Sequence, residues 1–168
     1  MACTQTLAGI LRDCAANMGG IKTVYIANAA DVTSLTEASG AITAITMASS
    51  KKFYKYEFAR NSSSLTSNYA VNVENGTTYV ESDLLMVFNK MDTTKRLEIV
   101  ALAQGELVAI VEDNNGSMWY LGHDEPVHIN AGDGQTGTAR ADRNGYSITL
   151  RDTSLEMPMP FTGTVPTS

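Results

Sequence analysis

"NYAVNVENGTTYVESDLLMVF", Asn68–Phe88, is the stretch on which the fold turns. Two strand-like arms flank Asn75-Gly76, a pair suited to a two-residue hairpin turn. On the first arm Tyr69, Val71 and Val73 share a face, with Asn68, Asn72 and Glu74 on or near the other, the period of two of a half-buried strand. Arms of about eight to ten residues span roughly 27–34 Å at ~3.3 Å per residue.

The neighbouring sequence agrees with a β protein. Ile21–Asn28 is β-branched and aromatic, and Ala41–Met47 reads as a short strand. Lys52–Ala59 alternates, Phe53 and Lys55 against Tyr54, Tyr56 and Phe58. Gly105–Gly122 forms a second hairpin: Leu107–Val111 is a buried strand, and Asn114-Asn115-Gly116 turns the chain. Gly145–Asp152 alternates again, with Tyr146, Ile148 and Leu150 on one face. Two segments have helical character. Leu7–Ala16 ("LAGILRDCAA") predicts a short helix ending at Gly19 and Gly20. In Met91–Gly105, Asp92 or Thr93 suits a cap, and Leu97, Val100, Ala101 and Gln104 fall at helical spacing. Lys95 and Arg96 oppose the helix dipole there and "RLEIVALA" also reads as a strand, but the helix is the favoured reading. The expected fold is therefore mainly β, a β-sandwich or curved antiparallel sheet with one flanking α-helix. Residues 1–153 form the single domain. Residues 154–168, which hold three of the four prolines, read as an extended arm outside the core.

Composition narrows function. The 168 residues are 43% hydrophobic, a globular composition, with a formal net charge of −6 and a pI near 4.8. A protein that grips nucleic-acid phosphate is basic, so that class is disfavoured. The two cysteines, Cys3 and Cys14, make a poor disulfide framework and read as reduced, partly buried thiols. The N-terminus lacks the marks of a secretory signal, and no apolar run is long enough to span a membrane.

"GDGQTG", Gly132–Gly137, is a literal G-x-G-x-x-G, the spacing of dinucleotide-binding folds. That chemistry needs a strand before it and a helix after it, so that helix N-terminal N–H groups face a pyrophosphate. Asp142 and Asn144-Gly145 are turn residues and a strand follows them. The motif fails its own test, and the glycines read as a flexible excursion between two sheet elements. The histidines, His123 and His128, are spaced by five across a proline with Asp124 and Glu125 nearby, which suits a solvated loop better than a metal site. No nucleophile elbow or paired carboxylates are present, so no enzymatic site, cofactor or metal is expected.

Three blocks, "GILRDCAANMGGIKTVYIAN" (Gly9–Asn28), "ELVAIVEDNNGSMWYLG" (Glu106–Gly122) and "GTARADRNGYSITL" (Gly137–Leu150), resemble virion structural proteins of tailed phages, most of all the tail tube family. They cover about a third of the chain. The resemblance implies hexameric rings stacked into a hollow tube in the virion tail, made in the host cytoplasm. It implies contacts with other virion proteins and DNA that passes without specific binding, and no membrane. On that reading Asn72, Glu74, Thr78, Glu81 and Asp83 face the lumen, while Val71, Val73 and Leu85 face the sandwich. Met157, Met159 and Phe161 of the C-terminal arm dock on a neighbouring subunit. Two alternatives stand beside it: a capsid decoration or head–tail connector protein, and a monomeric carbohydrate-binding module using Tyr54, Tyr56 and Trp119.

Overall fold

The alternating segments do form strands, in a computed structural model that describes residues 4–167. In chain order they are β1 (Ile21–Asn28), β2 (Val32–Ala38), β3 (Ala41–Met47), β4 (Tyr54–Glu57), β5 (Ser64–Asn72), β6 (Thr77–Asn89), β7 (Leu107–Asp113), β8 (Met118–Leu121), β9 (His128–Gln135), β10 (Gly145–Ser154) and β11 (Met159–Phe161). One α-helix, α1 (Thr93–Gln104), joins β6 to β7. A seven-stranded sheet has the order β2-β3-β11-β8-β7-β1-β4, and a four-stranded sheet has the order β5-β6-β10-β9.

The sheets face each other across a core built by the period of two. Val24 and Ile26 of β1, with Ala109 and Val111 of β7, meet Leu84 and Met86 of β6 and Ile148 and Leu150 of β10. The other parity of β7, Val108 and Ile110, packs with Ile42, Phe53, Tyr120 and Phe161 in a second core on the opposite face. Leu107–Val111 is buried throughout. This explains its unbroken apolar run, since a strand covered on both faces has no solvent side to mark.

α1 forms where the cap signal lies. Asp92 accepts a hydrogen bond from the Lys95 backbone N–H at 2.8 Å, and the Lys95 ammonium returns to the same carboxylate at 2.5 Å. The aspartate thus offsets the first-turn cation that opposes the dipole. The buried face is not the expected one. Leu97 and Val100 are exposed, while Ile99 and Leu102 pack on the core. Apolar residues occur around much of this helix, so spacing alone could not choose the inward stripe.

Both chain ends correct the sequence reading. Residues 4–19 form no helix and are exposed throughout, and Cys14 is a free, exposed thiol; Cys3 lies outside the described residues. The C-terminal segment is not an outlying arm. β11 inserts between β3 and β8, parallel to the first and antiparallel to the second. Phe161 is 3% exposed, Met159 packs on the same core, and Thr162 N–H donates to the Ile42 carbonyl at 2.9 Å. Pro160 is tolerated because this strand is three residues long, so the missing donor removes at most one ladder bond. Of the three residues expected to reach a neighbour, only Met157 is substantially exposed.

Candidate functional site

The β5–β6 hairpin is the feature most unlike a plain sandwich. Its register closes at Asn72 opposite Thr77, leaving Val73–Gly76 as a four-residue loop where a two-residue turn was expected. Asn72 Oδ1 accepts from the Asn75 backbone N–H at 3.0 Å, so the turn is organised one residue pair earlier. On its other side β6 pairs with β10 only as far as Val80 opposite Ser154. Residues 70–79 therefore project past the four-stranded sheet, paired only with each other.

This projection leaves apolar side chains in water. Tyr69 is 54% exposed, Val71 61% and Val73 89%. The expectation that Val71 and Val73 pack in the sandwich is corrected: the strands outrun the opposing sheet. Leu85 is corrected for a different reason. β6 buries Val80, Ser82, Leu84 and Met86, so Leu85 lies with Glu81 and Asp83 on the outer face and Thr78 shares the inner parity. A one-residue choice at the Leu84-Leu85 doublet decides which face every neighbour takes.

Among the other residues singled out for the polar face, Asn72 and Glu74 are exposed at the tip. Glu81 and Asp83 lie on the outer face of the four-stranded sheet beside a cation that sequence reasoning had not placed. Arg151 is directly opposite Asp83 and donates from Nε to Oδ1 and from Nη2 to Oδ2, both at 2.8 Å. Glu81 lies 3.6 Å from the same guanidinium. The bidentate bond from Arg151 holds the Asp83 carboxyl below the usual range. The outer face is thus a mixed-charge ladder, not a bare acidic wall. Arg151 and Asp83 are 68 residues apart, so only the strand register joins them.

The remaining motifs resolve into strand pairings and side-chain contacts. Gly132 and Gly134 belong to β9, paired with Ile148 and Tyr146 of β10, so these two are part of a strand and not a loop excursion, whereas Gly137 lies in the loop between β9 and β10 with φ +72°. A Cβ on Gly134 would sit 3.0 Å from two Tyr146 ring atoms, which explains glycine there. A loop and then β10 follow, in place of a phosphate-binding helix. His123 contacts Glu37 Oε1 through Nε2 at 2.7 Å and Asp124 Oδ1 through Nδ1 at 2.8 Å. Both contacts are donor bonds only for the imidazolium, and Glu37 first and Asp124 second raise its pKa. Asp124 also accepts from Leu155 N–H at 2.8 Å, so the cluster ties β2 to the segment after β10. Nearby Asp152 accepts from Gly122 N–H at 3.0 Å, and burial pushes its carboxyl up.

The three aromatics considered for carbohydrate do not meet. Tyr54 and Tyr56 line a cleft against α1, and the Tyr56 hydroxyl donates to Glu98 at 2.5 Å. Trp119 lies on β8, separated from β4 by β7 and β1, roughly 14 Å away at ~4.8 Å per strand. No helix among the described residues is long and apolar enough to cross a membrane. Comparison with known proteins finds no matching family model, no matching curated protein and no matching solved structure.

Proposed function

We propose that this chain is a structural subunit that self-assembles, and that its assembly is a ring stacked into a DNA-conducting tube of the phage tail type. The observation that carries the assembly reading is the projecting hairpin, with Tyr69 and Val71 held in water on one face of β5 and Val73 exposed in the loop beyond them. A solitary domain gains nothing from extending two strands past their sheet with apolar residues displayed. A neighbouring subunit that covers them removes that surface from water. The outer strands β2, β4, β5 and β9 also each leave one edge without a partner strand among the described residues. Such edges are hidden or used, and addition of a strand from another subunit uses them. The tube and its DNA rest on the residue blocks that resemble tail tube proteins.

Size-exclusion chromatography with light scattering tests assembly, and negative-stain microscopy tests the ring. Higher oligomers are expected in the first and rings or tubes in the second. Val71→Lys should leave the domain folded, because its side chain is solvent-exposed, while weakening assembly. A monomer at all accessible concentrations overturns the reading. The channel is tested separately with Asn72→Lys and Glu74→Lys, two of the residues expected at the lumen, which add cations at the exposed hairpin tip, away from the Arg151–Asp83 pair. If these residues line a DNA channel, tubes should still form and retain DNA in a salt-dependent way. No gain in DNA retention would remove these residues from the channel wall.

A further inference from the structure

The structure leaves one strong local pattern unused. Leu7, Ile10, Leu11 and Cys14 are spaced i, i+3, i+4 and i+7, the apolar face of an amphipathic helix. Yet residues 4–19 have no helix, and Leu7, Ile10 and Leu11 are 90%, 101% and 94% exposed. Both facts have one cause. A helix of about ten residues with glycine inside it is marginal in water and needs a surface for its apolar face. Within one chain nothing among the described residues covers that face.

The root of this segment is nevertheless held firmly. Asn115 Oδ1 accepts from Met18 N–H at 2.8 Å, its Nδ2 donates to Met18 O at 2.9 Å, and Asn114 Nδ2 donates to Gly19 O at 2.7 Å. The β7–β8 turn therefore sets where the arm leaves the body. The root shares a groove with Ser64, Leu65 and Ser67 of β5, a few residues before Tyr69 and Val71. Arm and hairpin face are thus both apolar, both uncovered and rooted close together, yet they do not associate within one chain.

We infer that the N-terminal arm is the intersubunit connector: on assembly, residues 6–16 of one copy fold into a helix. Its Leu7–Ile10–Leu11–Cys14 face seats on the Tyr69–Val71 face of a neighbouring copy's hairpin, with Val73 of the loop at its end. The inference rests on the self-assembly reading and supplies its contact. It moves the connecting role from the C-terminal segment, which the core has absorbed, to the opposite end of the chain. Helix-in-groove docking of this kind joins folding to binding.

Gly9 provides the first test. In the unassembled chain it adopts φ +74°, a conformation strained for alanine. In a helix alanine is favoured over glycine by ~1 kcal/mol, so Gly9→Ala should lower the concentration needed for assembly about fivefold. Gly9→Pro and the triple change Leu7→Ser, Ile10→Ser, Leu11→Ser should raise it. Helical circular dichroism should increase on assembly of the intact chain, and less in the triple variant. The second test mixes two chains, both carrying Cys3→Ser. One keeps Cys14; the other carries Cys14→Ser and Val71→Cys. Oxidation of the co-assembled mixture should give the mixed disulfide, which can only form between copies. An intact chain that assembles indifferently to the Gly9 and triple variants overturns the arm and leaves the assembly reading standing. So does an assembled mixture that yields no mixed disulfide. An intact chain that stays monomeric overturns both.

Discussion

Phe161→Ala separates a C-terminal segment that belongs to the core from one that serves only a neighbour. The Phe161 side chain is 3% exposed and shares its core with Ile42, Val108, Ile110 and Tyr120. Its strand is bridged to β3 on one side and β8 on the other, and Thr162 N–H bonds the Ile42 carbonyl just beyond it. Truncating a phenylalanine in such a site costs about 3–5 kcal/mol, from lost transfer free energy and the cavity left behind. For a chain of this length each kcal/mol lowers Tm by about 2–4 °C, so a fall of roughly 6–20 °C is expected. The assay is thermal or urea unfolding of dilute protein, below the assembly concentration, so that no neighbour contributes. Met157→Ala, at a position 46% exposed, is the internal control and should change stability far less. Deleting residues 154–168 should likewise destroy the monomer fold, where a mere docking arm would leave it intact. A dilute Phe161→Ala protein that unfolds within about 1 kcal/mol of the native chain would refute the reasoning.

Three further outcomes follow from the geometry. Because Glu37 and Asp124 raise the His123 pKa in the folded state, its contribution is fully present below the unfolded value of about 6.5. That contribution is lost as pH rises through the folded pKa; Glu37→Gln should lower the His123 midpoint in an NMR titration, and an unmoved midpoint argues against the contact. For Asp83 the sign is opposite: Arg151 depresses its pKa, so the stabilisation is present above about pH 4 and lost as pH falls through the folded value. Arg151→Gln should raise the Asp83 midpoint, measured on the side-chain carboxyl carbon, and no change would show that the pair is absent in solution. Gly134→Val should cost about 1–3 kcal/mol by crowding the Tyr146 ring, and calorimetry with NAD or ATP should show no binding to either protein. Micromolar nucleotide binding lost on that substitution would restore the dinucleotide reading of Gly132–Gly137.

Local chemistry determined much of this protein before any tertiary contact. β1, β3, β7 and β10 follow β-branched or alternating runs, because the pleat itself sorts residues by parity. α1 follows the Asp92 cap, because a side-chain oxygen three residues from the Lys95 N–H is a local event. What sequence could not decide was every choice between equally apolar partners. The Leu84-Leu85 doublet, the inward face of α1 and the fate of Met159–Phe161 all depend on which distant surface is available to cover them. The helical spacing of Leu7–Cys14 shows the same limit from the other side: a valid local pattern does not fold where nothing among the described residues covers its face. Arg151 reaches Asp83 across 68 residues only because the β6–β10 register sets them opposite. Period and capping act within a few residues and are written in the sequence. Burial is a competition among segments far apart in the chain, and only the assembled tertiary structure settles which of them wins.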